Sequence, residues 1–102
     1  MKKHIKLDAV YTASDDIVVR EIEDLTIIIP IAANEDTEEE PYILNTTGQA
    51  VWQRLSGRRR LKDIVADLAA EFKMPRREIE NDVIGFVQKL LKKKMLIEVP
   101  RT

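Results

Sequence analysis

PYILNTTGQAVW, residues 41–52, decides how this chain folds, because it sets a short apolar run directly against a helix start. Tyr42, Ile43 and Leu44 read as a strand, and Asn45, Thr46 and Thr47 are all good N-cap residues. Thr46 with Gln49 three positions on fits the S/T-x-x-Q capping box, so strand passes into helix with almost no loop. Gly48 in the first helical turn costs about 1 kcal/mol against alanine. That cost implies a helix start too close to other backbone for a side chain to fit.

Upstream of this junction the period is that of strands. DIVVREIEDLTIIIPIAA reads as two β-rich runs, Ile17–Ile22 and residues 25–31, joined as a hairpin at Glu23 and Asp24. Ile27, Ile28 and Ile29 are apolar on both faces, as in a central strand. Pro30 has no N–H to give and should lie near that strand's end. ANEDTEEE, residues 33–40, reads as a polar connector to the third strand.

Downstream the period becomes 3.6. Val51, Trp52 and Leu55 form one helical stripe, with Gly57 in the position that ends a helix. Leu61, Ile64, Val65, Leu68 and Phe72 form a second, and Pro75 suits the first turn of a third helix running to about Lys93. On that third helix Ile79, Val83, Phe86 and Leu90 fall within about 60° of arc, while Ile84, Val87 and Leu91 widen the apolar surface to about 160°. One buried face needs about 100°. The extra shoulder is either wider core contact or the lining of a groove. Residues 95–99, MLIEV, read as a short extended tail closing on the sheet.

At 102 residues the chain is large enough for one core and too small for a second, and a deep substrate cavity would be hard to enclose. There are no cysteines, which excludes disulfide frameworks and thiolate metal sites and agrees with a reducing cytoplasm. The longest apolar run is far short of the roughly 20 residues that span a bilayer, and the N-terminus lacks a signal-peptide core. A soluble cytoplasmic protein with no membrane attachment is the expectation. The net charge of −1 divides into 4 basic and 11 acidic residues over 1–44 and 13 basic and 7 acidic over 45–102. Those halves carry −7 and +6.

Catalytic chemistry is hard to find. The one histidine is His4, the acids at 35–40 lack the alternation and central glycine of a calcium loop, and Gly48, Gly57 and Gly85 are isolated rather than a phosphate cradle. No catalytic residue, metal ligand or cofactor site is assigned. Helix, tight turn and helix between a small sheet and a terminal strand is the layout of a winged helix-turn-helix, which raises DNA binding as an alternative. Arg76 and Arg77 would sit at the bases, with Arg58, Arg59, Arg60 and the lysines at 92–94 on phosphates. Glu78, Glu80 and Asp82 and the near-neutral total oppose it, so nucleic acid is not the expected partner.

YILNTTGQAVWQRLSG, then DIVADLAAEF, then IENDVIGFVQKLLKKKMLIEV together resemble the PqqD family, the pyrroloquinoline quinone (PQQ) biosynthesis proteins that define the recognition element of ribosomal peptide modification. The resemblance spans about residues 17–99, leaving 1–16 as an N-terminal extension. Asn45, Thr47, Gly48, Trp52, Ile64, Leu68, Asp82, Val83 and Phe86 fall at the family's spacing. It implies an α+β fold: a winged helix-turn-helix with a three-stranded antiparallel sheet packed on three helices. It further implies a non-catalytic peptide chaperone that binds the leader of a precursor peptide and presents it to a modifying enzyme, often a radical S-adenosylmethionine (SAM) enzyme. On that basis the leader adds a strand along Tyr42, Ile43 and Leu44 and sends side chains toward Val83, Ile84, Val87 and Leu91. An exposed strand edge can also pair with a second copy as a homodimer. Arg60 and Lys94 depart from the family, which commonly has threonine and glycine there; the first loses an N-cap and the second meets a left-handed backbone.

Overall fold

The computed structural model describes residues 5–31 and 40–100. In chain order the elements are β1 (Val10–Ala13), β2 (Ile17–Ile22), β3 (Leu25–Pro30), β4 (Tyr42–Leu44), α1 (Thr46–Arg54), β5 (Ser56–Arg60), α2 (Leu61–Phe72), α3 (Arg76–Lys92) and β6 (Leu96–Glu98). The fold is α+β, with three helices and two three-stranded antiparallel sheets in place of the one sheet expected. The acidic connector at 33–40 and His4 lie, apart from Glu40, outside the described residues.

The first sheet has the order β2-β3-β4 and follows the sequence reading closely. Ile22 pairs with Leu25 to close the hairpin, and the turn sets Glu23 at φ 55°. Partners across an antiparallel ladder share a face. Ile28 opposite Tyr42 and Thr26 opposite Leu44 therefore point to one side, and Ile28 and Leu44 are both buried there. β3 is the central strand that its isoleucine run implied, ending at Pro30.

The second sheet, of order β5-β1-β6, was not foreseen. Residues 10–13 fall within the stretch read as an extension, yet they form its central strand: Val10 pairs with Arg60 and Tyr11 with Glu98. Tyr11 is 2% exposed, and its hydroxyl accepts the Lys6 N–H at 3.3 Å. Burial is the main influence on that phenol, raising its pKa. Ser56–Arg60 is strand rather than loop. Gly57 does not end α1, which is capped at Leu55; it sits inside β5 at φ 82°, where the register with β1 shifts and an added Cβ would stand 3.2 Å from Thr12 Cβ. Only glycine takes that left-handed bulge position easily.

Local chemistry explains the helix ends. Asn45, not Thr46, is the N-cap of α1, and its Oδ1 accepts the Gly48 N–H at 2.7 Å. Gln49 is then free of any capping box and its side-chain amide donates to the Asp24 carbonyl, fixing the hairpin turn against α1. Arg60 caps α2 without a side-chain bond, as the departure from threonine implied. The N-terminal segment makes good part of the loss: the Ala9 and Leu7 carbonyls accept the Leu61 and Lys62 N–H groups, each at 2.9 Å. After α3, Lys94 takes φ 61°, the left-handed conformation its place after the helix called for. The core gathers Val51 of α1, Leu61, Ile64, Val65 and Leu68 of α2, and Ile79, Val83, Val87 and Leu90 of α3 against Ile28, Leu44, Tyr11, Met95 and Leu96.

Candidate functional site

β4 borders β3 on one side and has no described strand on the other. Which of its backbone groups face that open edge follows from one hydrogen bond. The Ile31 N–H donates to the Asp16 carbonyl at 2.8 Å, continuing the β2–β3 register by one pair. Hydrogen-bonded and non-bonded pairs alternate along an antiparallel ladder. Val18 with Ile29, Arg20 with Ile27 and Ile22 with Leu25 are therefore the bonded pairs, and the even-numbered residues of β3 turn their backbone groups toward β4. Tyr42 and Leu44 bond to β3 through Ile28 and Thr26, while Ile43 opposite Ile27 directs its N–H and C=O outward. Ile43 thus offers one donor and one acceptor on a free edge.

Beside this edge an open groove of about 420 Å³ runs between β4 with the start of α1 and one flank of α3. Tyr42 and Phe86 form its aromatic floor, with rings stacked at 6.3 Å and 27°. Lys93 Nζ stands 5.7 Å from the Tyr42 ring centre, within cation–π range. Gly85 opens the α3 wall, since a Cβ there would meet nothing within 4 Å. Asn81, Asp82 and Lys89 supply polar and charged groups of both signs.

The geometry also answers why Gly48 is bare. An added Cβ would lie 3.1 Å from Asn45 Oδ1 and 3.3 Å from Phe86 Cε1. The crowding comes from side chains and not, as expected, from backbone. Absence of a side chain at 48 lets the cap bond form and lets the Phe86 ring of α3 close over the strand-to-helix junction.

The predicted site residues divide sharply. Tyr42 lines the groove, half-buried, and Ile43 is 59% exposed on the edge. Leu44 is buried beneath them. Val83 and Val87 are 0% exposed, so they are core and present no surface to a ligand. Ile84 is half-buried and lies outside the groove lining; Leu91 borders a different hollow with Tyr11, Leu96 and Ile97. The groove flank of α3, with Asn81, Asp82, Gly85 and Lys89, lies on the far side of the Phe86 stripe from the Ile84, Val87 and Leu91 shoulder. Wider core contact was the right alternative for Val87. Gly85, a lone glycine within a strong helix pattern, was the available signal for the flank that bears the groove.

The basic run on β5 is partly engaged. Arg59 pairs with Asp67 at 2.7 Å, and that bond holds the Asp67 carboxyl below the usual aspartate range. Arg54 pairs with Glu71 and Lys62 with Asp8. No group of metal-ligating side chains occurs among the described residues, and none of their helices is long and apolar enough to cross a membrane.

A small α+β domain with a free strand edge beside a helix-walled groove is the class that these features define. The chain belongs to the PqqD family: the family model described as coenzyme PQQ synthesis protein D matches residues 34–96. The fold is shared with the solved structure of TbiB1 in complex with the TbiA(beta) leader peptide, at a TM-score of 0.71 and 24% identity over 88% of this chain and 99% of that one. No curated protein matches the chain in sequence.

Proposed function

We propose that this chain is a non-catalytic recognition protein of the cytoplasm, which captures the leader of a ribosomally made precursor peptide and presents it to a modifying enzyme. The observation that carries this reading is the outward pair of backbone groups on Ile43, set directly beside the Tyr42 and Phe86 groove. An extended leader adds to β4 by main-chain hydrogen bonds, and alternate side chains drop between the aromatic floor and the gap at Gly85. Membership of the PqqD family and the leader peptide bound to TbiB1 support the same reading. A radical SAM enzyme is the partner class that the family implies.

Two competitors for these surfaces fare worse. Pairing of a second copy along β4 has the same few backbone partners as a leader, because Pro41, the next residue whose groups face outward, has no N–H. It also lacks the leader's added contacts in the groove, where its own Tyr42 is already packed on Phe86. DNA binding is opposed by Glu78, Glu80 and Asp82 behind Arg76 and Arg77, and by Asp67 on Arg59.

The test is a titration of the isotope-labelled chain with a synthetic leader peptide, following backbone amides. The largest shifts are expected at Ile43 and along residues 81–89. Ile43→Pro removes the outward N–H without touching the β3 ladder. It loses one hydrogen bond of about 1 kcal/mol and strands a leader carbonyl at about 1–3 kcal/mol. Binding should weaken at least about tenfold, while Ile43→Thr, which keeps the N–H, binds nearly as the parent does. Shifts concentrated at residues 58–60 and 76–80, with Ile43 silent, would defeat the assignment.

A further inference from the structure

The β2–β3–β4 sheet has a second face that none of the foregoing uses. By the ladder register, Val18 and Ile22 of β2, Leu25, Ile27 and Ile29 of β3, and Ile43 of β4 all lie on the side away from buried Ile28 and Leu44. Val18, Ile22, Leu25 and Ile43 are 41%, 52%, 48% and 59% exposed, and Ile27 and Ile29 are partly so. On the opposite side Ile28 and Leu44 are buried in the core together with residues of all three helices. Among the described strand residues Arg20 is the one charged side chain on the outer face, and it stands on the edge strand β2, where a long side chain reaches the rim.

We infer that this face is a self-association surface on which a second copy of the chain packs sheet to sheet about a two-fold axis. Area and composition both select that occupant. The exposed parts of these side chains sum to roughly 400–500 Å², the size of the largest apolar patch on a typical monomer, which often serves a function. A standard interface buries about 800 Å² per partner, of which about 65% is apolar in homodimers, so the patch matches the apolar share of one side. Transient partners meet on surfaces closer to the average protein exterior, at about 56–58% apolar. Six apolar side chains to one charge is the richer, homodimer-like composition. Two such twisted sheets pack about 10 Å apart with strands within about 30° of each other. The contact is made through the face and not the edge, so both β4 edges and both grooves stay open.

Sedimentation equilibrium of the full chain, from about 1 to 100 μM, tests the inference independently of any leader. The expected mass is twice the 11.8 kDa of one chain. The double variant Val18→Glu, Leu25→Glu should raise the dissociation constant at least 100-fold with an unchanged circular dichroism spectrum. Ile22→Lys, a single exposed change, should act in the same direction and serves if the double variant folds poorly. Val19→Pro blocks an N–H on the open edge of β2 and should leave the dimer intact. A chain that stays at 11.8 kDa throughout overturns the inference, whatever other protein it binds. So does a dimer that survives the glutamates but is lost on Val19→Pro or Ile43→Pro, since that dimer pairs by its edges. Leader binding by the double variant is expected to persist, so loss of this inference leaves the peptide reading standing.

Discussion

Replacing Gly85 by alanine should stabilise the protein, whereas the same change at Gly48 should destabilise it. Both glycines are helical, and alanine gains up to about 1 kcal/mol of propensity over glycine in a helix interior. At Gly85 nothing offsets that gain, because the new methyl has no atom within 4 Å. For a domain of this size 1 kcal/mol moves the melting temperature by about 4–8 °C. At Gly48, in the first turn of α1, the methyl would sit 3.1 Å from the Asn45 oxygen and 3.3 Å from the Phe86 ring. Losing the cap costs about 0.5–2 kcal/mol and overpacking about 1–3 kcal/mol. Even partial relaxation leaves a net loss of about 1–2 kcal/mol, a fall of roughly 5–15 °C. Thermal unfolding followed by circular dichroism measures both. If the two variants move in the same direction, the packing argument for either glycine fails. Gly85→Leu carries the reasoning to function: leucine is nearly as good a helix former as alanine, yet it fills the groove, so it should raise the melting temperature while abolishing leader binding.

Two further outcomes follow from the N-terminal segment. Arg60→Thr supplies the cap that α2 lacks, but the Ala9 and Leu7 carbonyls already hold two of its first N–H groups, so urea unfolding should show a gain of only a few tenths of a kcal/mol against the usual value of about 1. Tyr11 carries a phenol whose pKa burial raises above 10, with the Lys6 N–H bond pulling the other way. The folded state favours the protonated form, so this contribution is complete below the unfolded pKa near 10 and is lost as pH rises through the folded value. Melting curves from pH 8 to 12 should show the loss in the parent and less of it in Tyr11→Phe.

The elements legible in the sequence were those whose own side chains form a periodic pattern. The β2–β3 hairpin, β4 and the three helices bury one stripe or face each, and that periodicity is written locally. β5 reads SGRRR and contains no large apolar residue; it is a strand because β1 pairs with it and because Gly57 can adopt φ 82°. β1 is four residues long, with Tyr11 alone deeply buried, too short for alternation to stand out. The site was half legible for a related reason. Hydrophobicity reports what the core claims, so it pointed to Val83 and Val87, which the core fully encloses. The groove wall is written in what the core leaves out: a glycine, an asparagine and charges of both signs.

The placing of β1 between β5 and β6 also orders events in time. The first sheet is local: Ile22 meets Leu25, and Thr26 meets Leu44 across 18 residues. The second brings Tyr11 to Glu98, 87 residues apart. Distant pairings wait on loop closure and form slowly, and domains begin to fold as they are synthesised from the N-terminus. During translation the hairpin, β4 and its junction with α1 can assemble while β1 still lacks both neighbours. The half of the molecule that bears the open edge is therefore the early half, and the sheet that ties the N-terminal segment to β6 is the late clasp, completed only once residues 96–98 have been made.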